Sequence, residues 1–444
     1  MKMSNFFYFL VLISFITGMN CTVWAYQNLP NDPNWLFNKE LKSIVPGWDE
    51  GYVICKPPKG GYNEVVENQK ILNSWGYKAR PIEEIKNLLP EPFFNIVSKP
   101  NEWGTFRINE TDYNSAGPRG KAWEKYKRTS KKNIGVCYID ESTWLRNWEQ
   151  GLPFPVLDEK DPQLAIKLIW NFIRRFQPDC RIVNMDLRTV NRRGTARNNL
   201  VINRRLMLRG RNNSEEPLYK PNPKNIDFAY ATPYVSPYNL RGTIPLYYRY
   251  DNAAIPDDMW IYIPSLRRVR RMSTAQHQDR LPGGLDWTWD NTEGFEGSPT
   301  RFNWTYLGRK ELLYPVLCKS ISQYDSKGLF LNGNDQYYQR RNTYVIKATY
   351  KKPINMTDLI LYLDPDLFCA SYSVDTDLKG RTWIVQTIPT GRDKGWYYTQ
   401  YNGFTIDILT KHATVAFFGY SGNNVGFTLE DLALDNLKKV YLSR

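Results

Sequence analysis

A run of four arginines in the middle of the chain carries side chains suited to binding anionic groups. It lies between Leu266 and Met272, interrupted by Val269, and consists of Arg267, Arg268, Arg270 and Arg271. A guanidinium group can donate two parallel hydrogen bonds to a carboxylate or a phosphate. The run predicts either a solvated strand face whose arginines pair with nearby carboxylates, or a lid or anchor that binds anionic groups.

An acidic and aromatic segment follows the arginines. Between positions 286 and 296, acids alternate with aromatic residues, namely Asp286, Trp287, Trp289, Asp290, Glu293, Phe295 and Glu296. The spacing lacks the alternate oxygen ligands and central glycine of a calcium loop, so no metal site is predicted. We expect an acidic loop that faces the arginines. Paired carboxylates beside tryptophans would also suit a glycan hydrolase, but so many acids near arginines favour ion pairing over an acid with a raised pKa.

The remaining residues show no recognisable catalytic arrangement. The sequence contains no nucleophile elbow, no phosphate-binding loop and no zinc-protease helix motif. It has two histidines, His277 and His412, and its cysteines show no C-x-x-C spacing. A zinc site and a Cys–His nucleophile are therefore not expected. We predict a protein that is not an enzyme and that uses no cofactor.

Predicted strands lead into both basic regions. Residues 259–263 are aromatic and β-branched, which predicts a strand that ends at Pro264 and carries Trp260 and Tyr262 directly before the arginine run. Residues 181–211 contain nine arginines and one acid, Asp186. They predict a hairpin with strands at 182–190 and 199–208 that turns near Gly194. Its charged face is either solvated or docks onto an anionic surface or a partner.

The sequence predicts fewer helices than strands. Residues 162–176 predict a helix with Asp161 as N-cap, Pro162 at the first position, and an apolar face at Ala165, Leu168, Ile169, Phe172 and Phe176. Further helices are predicted at 64–74, 81–89 and 428–442, the last with Thr428 as N-cap and Phe427 packed against Leu432. A strand is predicted at 133–140, and residues 93–124 are interpreted as loops. Hairpin strands are predicted at 341–350, 359–364, 370–374 and 382–386.

The central segment resembles a known family of exported bacterial proteins. The pattern W-x-Y-x-P-x-x-R-R-V-R-R, then G-x-D and F-x-W-x-x-x-G, is similar to that of the DUF1329 family. It is carried by Trp260, Tyr262, Pro264, Arg267, Arg268, Val269, Arg270, Arg271, Gly284, Asp286, Asp290, Phe302, Trp304 and Gly308. A second match lies upstream, where a G-x-P-F-P element at 151–155 precedes a helix with Trp170, Asn171 and Arg174.

The resemblance implies a fold and a function. The family is related to the outer-membrane lipoprotein-sorting (LolA/LolB-like) carriers, which implies a mainly β (α+β) fold. In that fold a large, strongly curved antiparallel sheet, or half-open β-barrel, has helices and loops over its concave face. We expect residues 26–230 to form an N-terminal half with helices and the basic hairpin, packed on the core. Residues 231–444 are expected to form the carrier-like curved sheet.

The N-terminal residues predict export. Lys2, an apolar run at 6–18 and the small-residue site ending at Ala25 are typical of a signal peptide cleaved after Ala25. Its removal takes away one cation, so the mature net charge is +13 (14 − 1). With the resemblance, the signal indicates a periplasmic or outer-membrane-associated protein. A basic exported protein meets anionic membrane surfaces, so peripheral contact with such a surface is predicted and nucleic acid is not.

Our first hypothesis is a periplasmic, non-enzymatic carrier or binding protein for a lipid or other hydrophobic molecule. It would act at the outer membrane or with an envelope exporter, and the aromatic surplus of 15% would line its cavity. The alternative is a structural or docking envelope protein that binds anionic lipid or glycan, and a glycan hydrolase is less favoured. The candidate ligand or lid residues are Trp260, Tyr262, Arg267, Arg268, Arg270, Arg271, Asp286, Trp287, Trp289, Asp290 and Trp304.

Overall fold

The structure is a computed structural model that describes residues 51–55, 77–103, 108–111, 120–252, 254–318, 336–392, 398–400, 403–423 and 426–436. The predicted signal peptide and the predicted helix at 64–74 lie outside these residues. No helix within the described ranges is long and apolar enough to cross a membrane.

One large sheet dominates the fold and contains 17 of the strands formed by the described residues. The strands are β1 (Gly51–Cys55), β2 (Tyr77–Pro81), β3 (Asn109–Thr111), β4 (Tyr138–Ile139), β5 (Leu145–Arg146), β6 (Cys180–Val190), β7 (Ala196–Met207), β8 (Ile226–Ala231), β9 (Tyr234–Ser236), β10 (Ile244–Tyr250), β11 (Asp258–Ile263), β12 (Arg268–Arg271), β13 (Phe302–Cys318), β14 (Gln336–Tyr350), β15 (Met356–Leu363), β16 (Ala370–Asp377), β17 (Thr382–Thr387), β18 (Thr390–Arg392), β19 (Tyr398–Gln400), β20 (Gly403–Asp407) and β21 (His412–Asn423). Strands β4–β5 and β18–β19 form separate two-stranded ribbons.

The sheet runs as one antiparallel series from β12 to β13. Its order is β12–β11–β10–β8–β7–β6–β21–β20–β17–β16–β15–β14–β13. Strand β3 pairs in parallel with the first residues of β14 and with β1, and β1 pairs with β2. Strand β9 pairs with β7. Among the described residues β12 pairs with β11 and β13 pairs with β14, and no pairing joins β12 to β13, so the sheet stays open. The predicted mainly β fold with an unclosed antiparallel sheet is confirmed.

The predicted domain boundary falls inside this series. Strand β8 pairs with β7 on one side and with β10 on the other, so backbone hydrogen bonds run continuously across residue 230. The division into two halves stays a prediction.

Helices are short and lie mostly in the first half of the described chain. The α-helices are α1 (Glu91–Val97), α2 (Pro100–Trp103), α3 (Lys121–Lys132) and α4 (Leu164–Ile173). Turns of 3₁₀-helix occur at Ile82–Leu88, Pro264–Leu266, Thr274–Gln278, Thr292–Gly294, Pro299–Arg301 and Glu430–Leu432.

The predicted hairpin and the predicted helix at 162–176 are both present. Strands β6 and β7 pair over their full length around Gly194, which has a φ of 76°. Helix α4 starts two residues later than predicted, because the Asp161 carboxylate accepts the Gln163 N–H at 2.8 Å in a turn that precedes the helix. Its predicted apolar face is buried, with Leu168 and Ile169 at 0% exposure.

Three predictions in the helical regions were wrong or incomplete. Residues 93–124 contain helices rather than loops, since α1 and α2 are too short to show a helical period in sequence. The predicted strand at 133–140 shrinks to Tyr138–Ile139, because Asn133 caps α3 and a turn follows. The C-terminal helix was predicted from residue 428 with Thr428 as N-cap, but the structure has a 3₁₀ turn at Glu430–Leu432 with Leu429 at the N-cap and no side-chain cap. The backbone leaves helical geometry at Ala433, where ψ is 145°, and residues 437–442 lie outside the described residues.

The two faces of the sheet are covered by different parts of the chain. Two successive residues of β14 point to opposite faces of the sheet. Val345 packs in a cluster with the helices of residues 82–103, whereas Ile346 packs in a cluster with α4. We call the second face the inner face. Residues 273–301, which we call the cover segment, continue over the inner face beyond α4, with Leu285 and Trp287 packed against Leu187 of β6.

Candidate functional site

An apolar cavity of about 90 Å³ lies between the inner face and the cover segment. Every second residue of β6 lines the cavity, because side chains at alternate positions of a strand share one face. They are Arg181, Val183, Met185 and Leu187, joined by Tyr230, Gln386, Thr405 and Ala416 from other strands. The cover segment contributes Leu281, Leu285, Trp287, Trp289, Thr292, Glu293 and Glu296.

Two predicted aromatic residues line this cavity. Trp289 is 2% exposed and packs with Phe228, Tyr230 and Met259. Trp287 packs in the neighbouring cluster with Leu285. Both indoles come from the cover segment, so they form the wall of the cavity that faces the sheet.

Asp286 fastens the cover segment to β21. Its side chain is fully buried and accepts hydrogen bonds from Arg280 Nη1 at 2.7 Å and Thr414 Oγ1 at 2.8 Å. His412 Nδ1 lies 2.7 Å from the same carboxylate. Arg280 also pairs with the buried carboxylate of Asp407. Burial acts to raise the pKa of Asp407, but the Thr410 N–H and the Arg280 guanidinium hold that pKa below its usual value.

Asp290 is the second anchor. It is 1% exposed, pairs with Arg301 and His277, and accepts a hydrogen bond from the Tyr350 hydroxyl at 3.0 Å. These partners come from the ends of the cover segment and from β14. The carboxylate therefore holds both ends of the segment against the sheet.

A third buried carboxylate, Asp375 on β16, lies beneath the cover segment. The Asn291 side-chain amide donates to it, and Gln386 Nε2 donates to the Asn291 carbonyl at 3.0 Å. The pKa of Asp375 is raised to about 7 overall, because burial and the nearby charge of Asp290 raise it by more than the Asn291 hydrogen bond lowers it. The cover is thus in contact with a carboxyl group that changes charge near neutral pH.

Two ion pairs cross from the sheet to the cover segment at the cavity wall, and we call them the latch pairs. Arg181 of β6 pairs with Glu293, and Arg205 of β7 binds Glu296 through two hydrogen bonds of 2.8 and 3.1 Å. Burial acts to raise the pKa of Glu293, but the charge of Arg181 and other arginines lowers it overall. Glu293 holds a left-handed backbone conformation, with φ at 54°. The latch pairs neutralise the cations that face the cavity.

The sequence interpretation missed Arg181 and Arg205 as site residues. Their region was described as a solvated or surface-docking basic face, but these two arginines turn inward beside apolar neighbours. The alternation of Arg181 with Val183, Met185 and Leu187 was the available signal, since it places one cation on an apolar strand face.

Three predicted aromatic residues lie outside the cavity. Trp260 and Tyr262 pack on the opposite face of the sheet with Tyr248, whereas their neighbour Met259 faces inward. Trp304 packs on Phe295, and its indole N–H donates to the Pro299 carbonyl at 2.9 Å. Trp304 therefore supports the end of the cover segment without lining the cavity.

The predicted pairing between the arginine run and the acidic segment is wrong. Residues 268–271 form the edge strand β12, and Arg267, Arg268, Arg270 and Arg271 are exposed to solvent. Arg271 pairs with Asp258, whereas the cover-segment acids pair with arginines at 175, 181, 205, 280 and 301. The run lies on a strand at the edge of the sheet, where its side chains are open to solvent. Within the described chain none of the four arginines lines the cavity.

Comparisons with known proteins show what the chain resembles. It is 26% identical over 375 residues to an uncharacterized protein of Pseudomonas aeruginosa, covering 77% of this chain and 74% of that protein. Its fold is similar to a crystal structure of a DUF1329 family protein from Desulfovibrio piger, with 14% identity, a TM-score of 0.45, and coverage of 61% of this chain and 96% of that one. A Vibrio parahaemolyticus domain named for outer membrane lipoprotein sorting gives 14% identity, a TM-score of 0.46, and coverage of 63% and 100%.

The chain also matches a family model. The model described as "Protein of unknown function (DUF1329)" matches residues 83–431, which include the cover segment, the latch pairs and most of the sheet. The match covers well over half of the 444 residues, so the chain belongs to the DUF1329 family.

Proposed function

We propose that this protein is a non-enzymatic periplasmic carrier or binding protein for a lipid or other hydrophobic molecule. The observation that supports the proposal is the apolar cavity enclosed between the inner face and the cover segment. Removing a methylene group from water into such a cavity contributes about 0.8 kcal/mol, so even a small apolar ligand gains useful affinity. The protein would act at the outer membrane or with an envelope exporter.

The electrostatics of the cavity favour an uncharged ligand. Among the described residues the cations of its wall are Arg181 and Arg205, and each is paired with a glutamate. A charged headgroup buried there would need its own partner, because an unpaired buried charge is strongly unfavourable. The apolar part of a neutral molecule has no such requirement.

The size of the cavity implies that the cover segment moves when a lipid binds. Its volume of about 90 Å³ is smaller than the roughly 150 Å³ of an apolar cavity that holds one benzene molecule. A lipid chain therefore requires displacement of cover residues such as Leu285 and Trp287. The latch pairs oppose that displacement, so their strength would set how readily ligand is exchanged.

Helix α3 favours a second role, in docking onto an anionic membrane. Its exposed face carries five cations, Lys121, Lys127, Arg128, Lys131 and Lys132, and one acid, Glu124. The turn that follows exposes Ile134 and Val136 by 54 and 49%, and Tyr138 at the start of β4 is 51% exposed. Cations near an anionic surface each contribute about 1 kcal/mol, and exposed apolar side chains can enter the interface. This surface supports peripheral membrane contact by the carrier, or the alternative of a docking protein.

The first experiment is native mass spectrometry with organic extraction of the mature protein purified from its own periplasm. A co-purifying neutral hydrophobic molecule is expected. Met185→Trp, which fills the cavity, should remove it, whereas Leu378→Trp on an exposed turn should not. A protein without bound ligand that also takes up no fluorescent acyl probe would refute the carrier and favour the docking role.

Docking has its own test with vesicles of phosphatidylglycerol and of phosphatidylcholine. Replacing Lys127, Arg128 and Lys131 with glutamine should lower partition onto the anionic vesicles roughly a hundredfold, at about 1 kcal/mol per cation. The matched control removes the same charge from the arginine run, at positions 267, 268 and 270. Equal losses in both variants would show that net charge, and not the α3 surface, drives binding.

A further inference from the structure

A second cavity lies beneath α3 and shares no lining residue with the first. Its volume is about 230 Å³, larger than that of the cavity under the cover segment. The inner side of α3 forms one wall, and residues 366–369 and the segment at 152–155 form the others. The lining residues that carry the argument are Trp123, Tyr126, Leu152, Phe176, Leu367 and Cys369.

The hydroxyl groups that line this cavity, those of Tyr126 and Ser130, already have hydrogen-bond partners within the protein. The Tyr126 hydroxyl donates to the Arg174 carbonyl at 3.1 Å, so its hydrogen bond is already made. Ser130 Oγ donates to the Tyr126 carbonyl at 2.7 Å and accepts the Leu152 N–H at 2.8 Å. Burial raises the pKa of the Cys369 thiol to about 12, so the thiol is uncharged. Aromatic and aliphatic surface forms the rest of the wall.

The mouth of the cavity is cationic. Lys127 and Lys131, one helical turn apart, line it and are exposed to solvent. Among the described residues the Lys131 amine has no carboxylate partner, and Lys127 pairs with the exposed Glu124. The acid on the rim, Asp366, is held by Arg341 at 3.0 Å. The positive charge of the mouth therefore comes from Lys131 and from Lys127, whose pair with Glu124 is exposed to solvent.

We propose that this cavity is a separate binding site for a small amphiphilic carboxylate, whose apolar part fills the aromatic interior and whose anionic group lies between Lys127 and Lys131. An apolar cavity of about 150 Å³ holds the six carbons of benzene, so 230 Å³ corresponds to about nine carbons. An aromatic acid or a medium-chain fatty acid has that size. The site goes beyond the proposed carrier function, because its ligand differs in both charge and size.

The test uses the full mature chain and three probes of equal length: octanoate, octanol and octylamine. Calorimetry should show saturable 1:1 binding of octanoate, weaker binding of octanol and no binding of octylamine. Lys127→Gln with Lys131→Gln should lower octanoate affinity roughly three- to tenfold and leave octanol unchanged, as expected for exposed charge pairs. Lys121→Gln with Lys132→Gln removes the same charge outside the mouth and should change affinity less than twofold.

Filling the cavity tests its location. Leu367→Trp should abolish octanoate binding, whereas Leu409→Trp, at an exposed position, should not. If Leu367→Trp lowers the melting temperature, Leu152→Phe fills the same space from the opposite wall. Met185→Trp, which blocks the first cavity, should leave octanoate binding intact. Octanoate binding that survives both fillings, that is lost in Met185→Trp, or that is matched by octylamine would overturn the proposal.

Discussion

Breaking one latch pair should loosen the cover segment by a predictable amount. In Glu296→Gln, the Arg205 guanidinium, 13% exposed, would lose its carboxylate partner. Removing one partner of a buried ion pair costs about 3–5 kcal/mol, because the other charge stays buried. Arg205 also lies 4.2 Å from the centroid of the Phe228 ring, and this contact survives the substitution. We therefore expect the low end, about 3 kcal/mol, which corresponds to more than a hundredfold increase in cover opening.

Two measurements check this expectation. Denaturant unfolding gives the loss in free energy, and hydrogen exchange of residues 273–301 shows whether the loss is local to the cover segment. Glu124→Gln is the matched control, since it breaks an exposed pair with Lys127 on α3 and should cost less than about 0.5 kcal/mol. Joint replacement by Arg205→Met and Glu296→Leu should cost less than Glu296→Gln alone, because no charge is left buried.

The result that would refute this reasoning is a small effect. If the free energy of unfolding of Glu296→Gln is within about 0.5 kcal/mol of the parent value and hydrogen exchange of the cover segment is unchanged, the Arg205–Glu296 pair does not restrain the cover. The same result would remove the latch pairs from the explanation of ligand exchange.

Three further predictions concern pH, backbone geometry and the arginine run. Because the folded pKa of Asp375 is raised to about 7, stability should fall as pH rises from about 4 to 7, and urea titrations of Asp375→Asn should lose this slope. Gly294→Ala should destabilise by more than Gly284→Ala in thermal unfolding, because both have positive φ but only at Gly294 would the new Cβ clash, 2.7 Å from a side-chain carbon. Replacing Arg268 and Arg271 with alanine should leave retention of a hydrophobic ligand unchanged in extraction assays, and its loss would restore the lid hypothesis.

Local sequence signals were sufficient for the elements that depend on neighbouring residues. The β6–β7 hairpin around Gly194 and the apolar face of α4 follow from residue type and periodicity, and both are present. The mostly antiparallel β structure was predicted from the many short strands between turn signals, and the family resemblance added the single unclosed sheet; both are confirmed. Trp287 and Trp289 were placed among the ligand candidates because of their segment, and both line the cavity.

The composition of the site depended on contacts between distant positions. Arg181 meets Glu293 across 112 residues and Arg205 meets Glu296 across 91. The alternation of β6 marks the apolar face on which Arg181 lies, but no local pattern identifies the glutamates that pair with the two arginines. Trp260 and Tyr262 were assigned to the site, but the register of β11 turns them to the opposite face. A shift of one position along a strand exchanges its two faces, and the choice of face is made by what packs against the sheet. Residue type and spacing thus determined elements with a long, regular pattern such as the β6–β7 hairpin and α4, whereas tertiary packing decided which charges are buried, because burial requires a partner that the chain brings from far away.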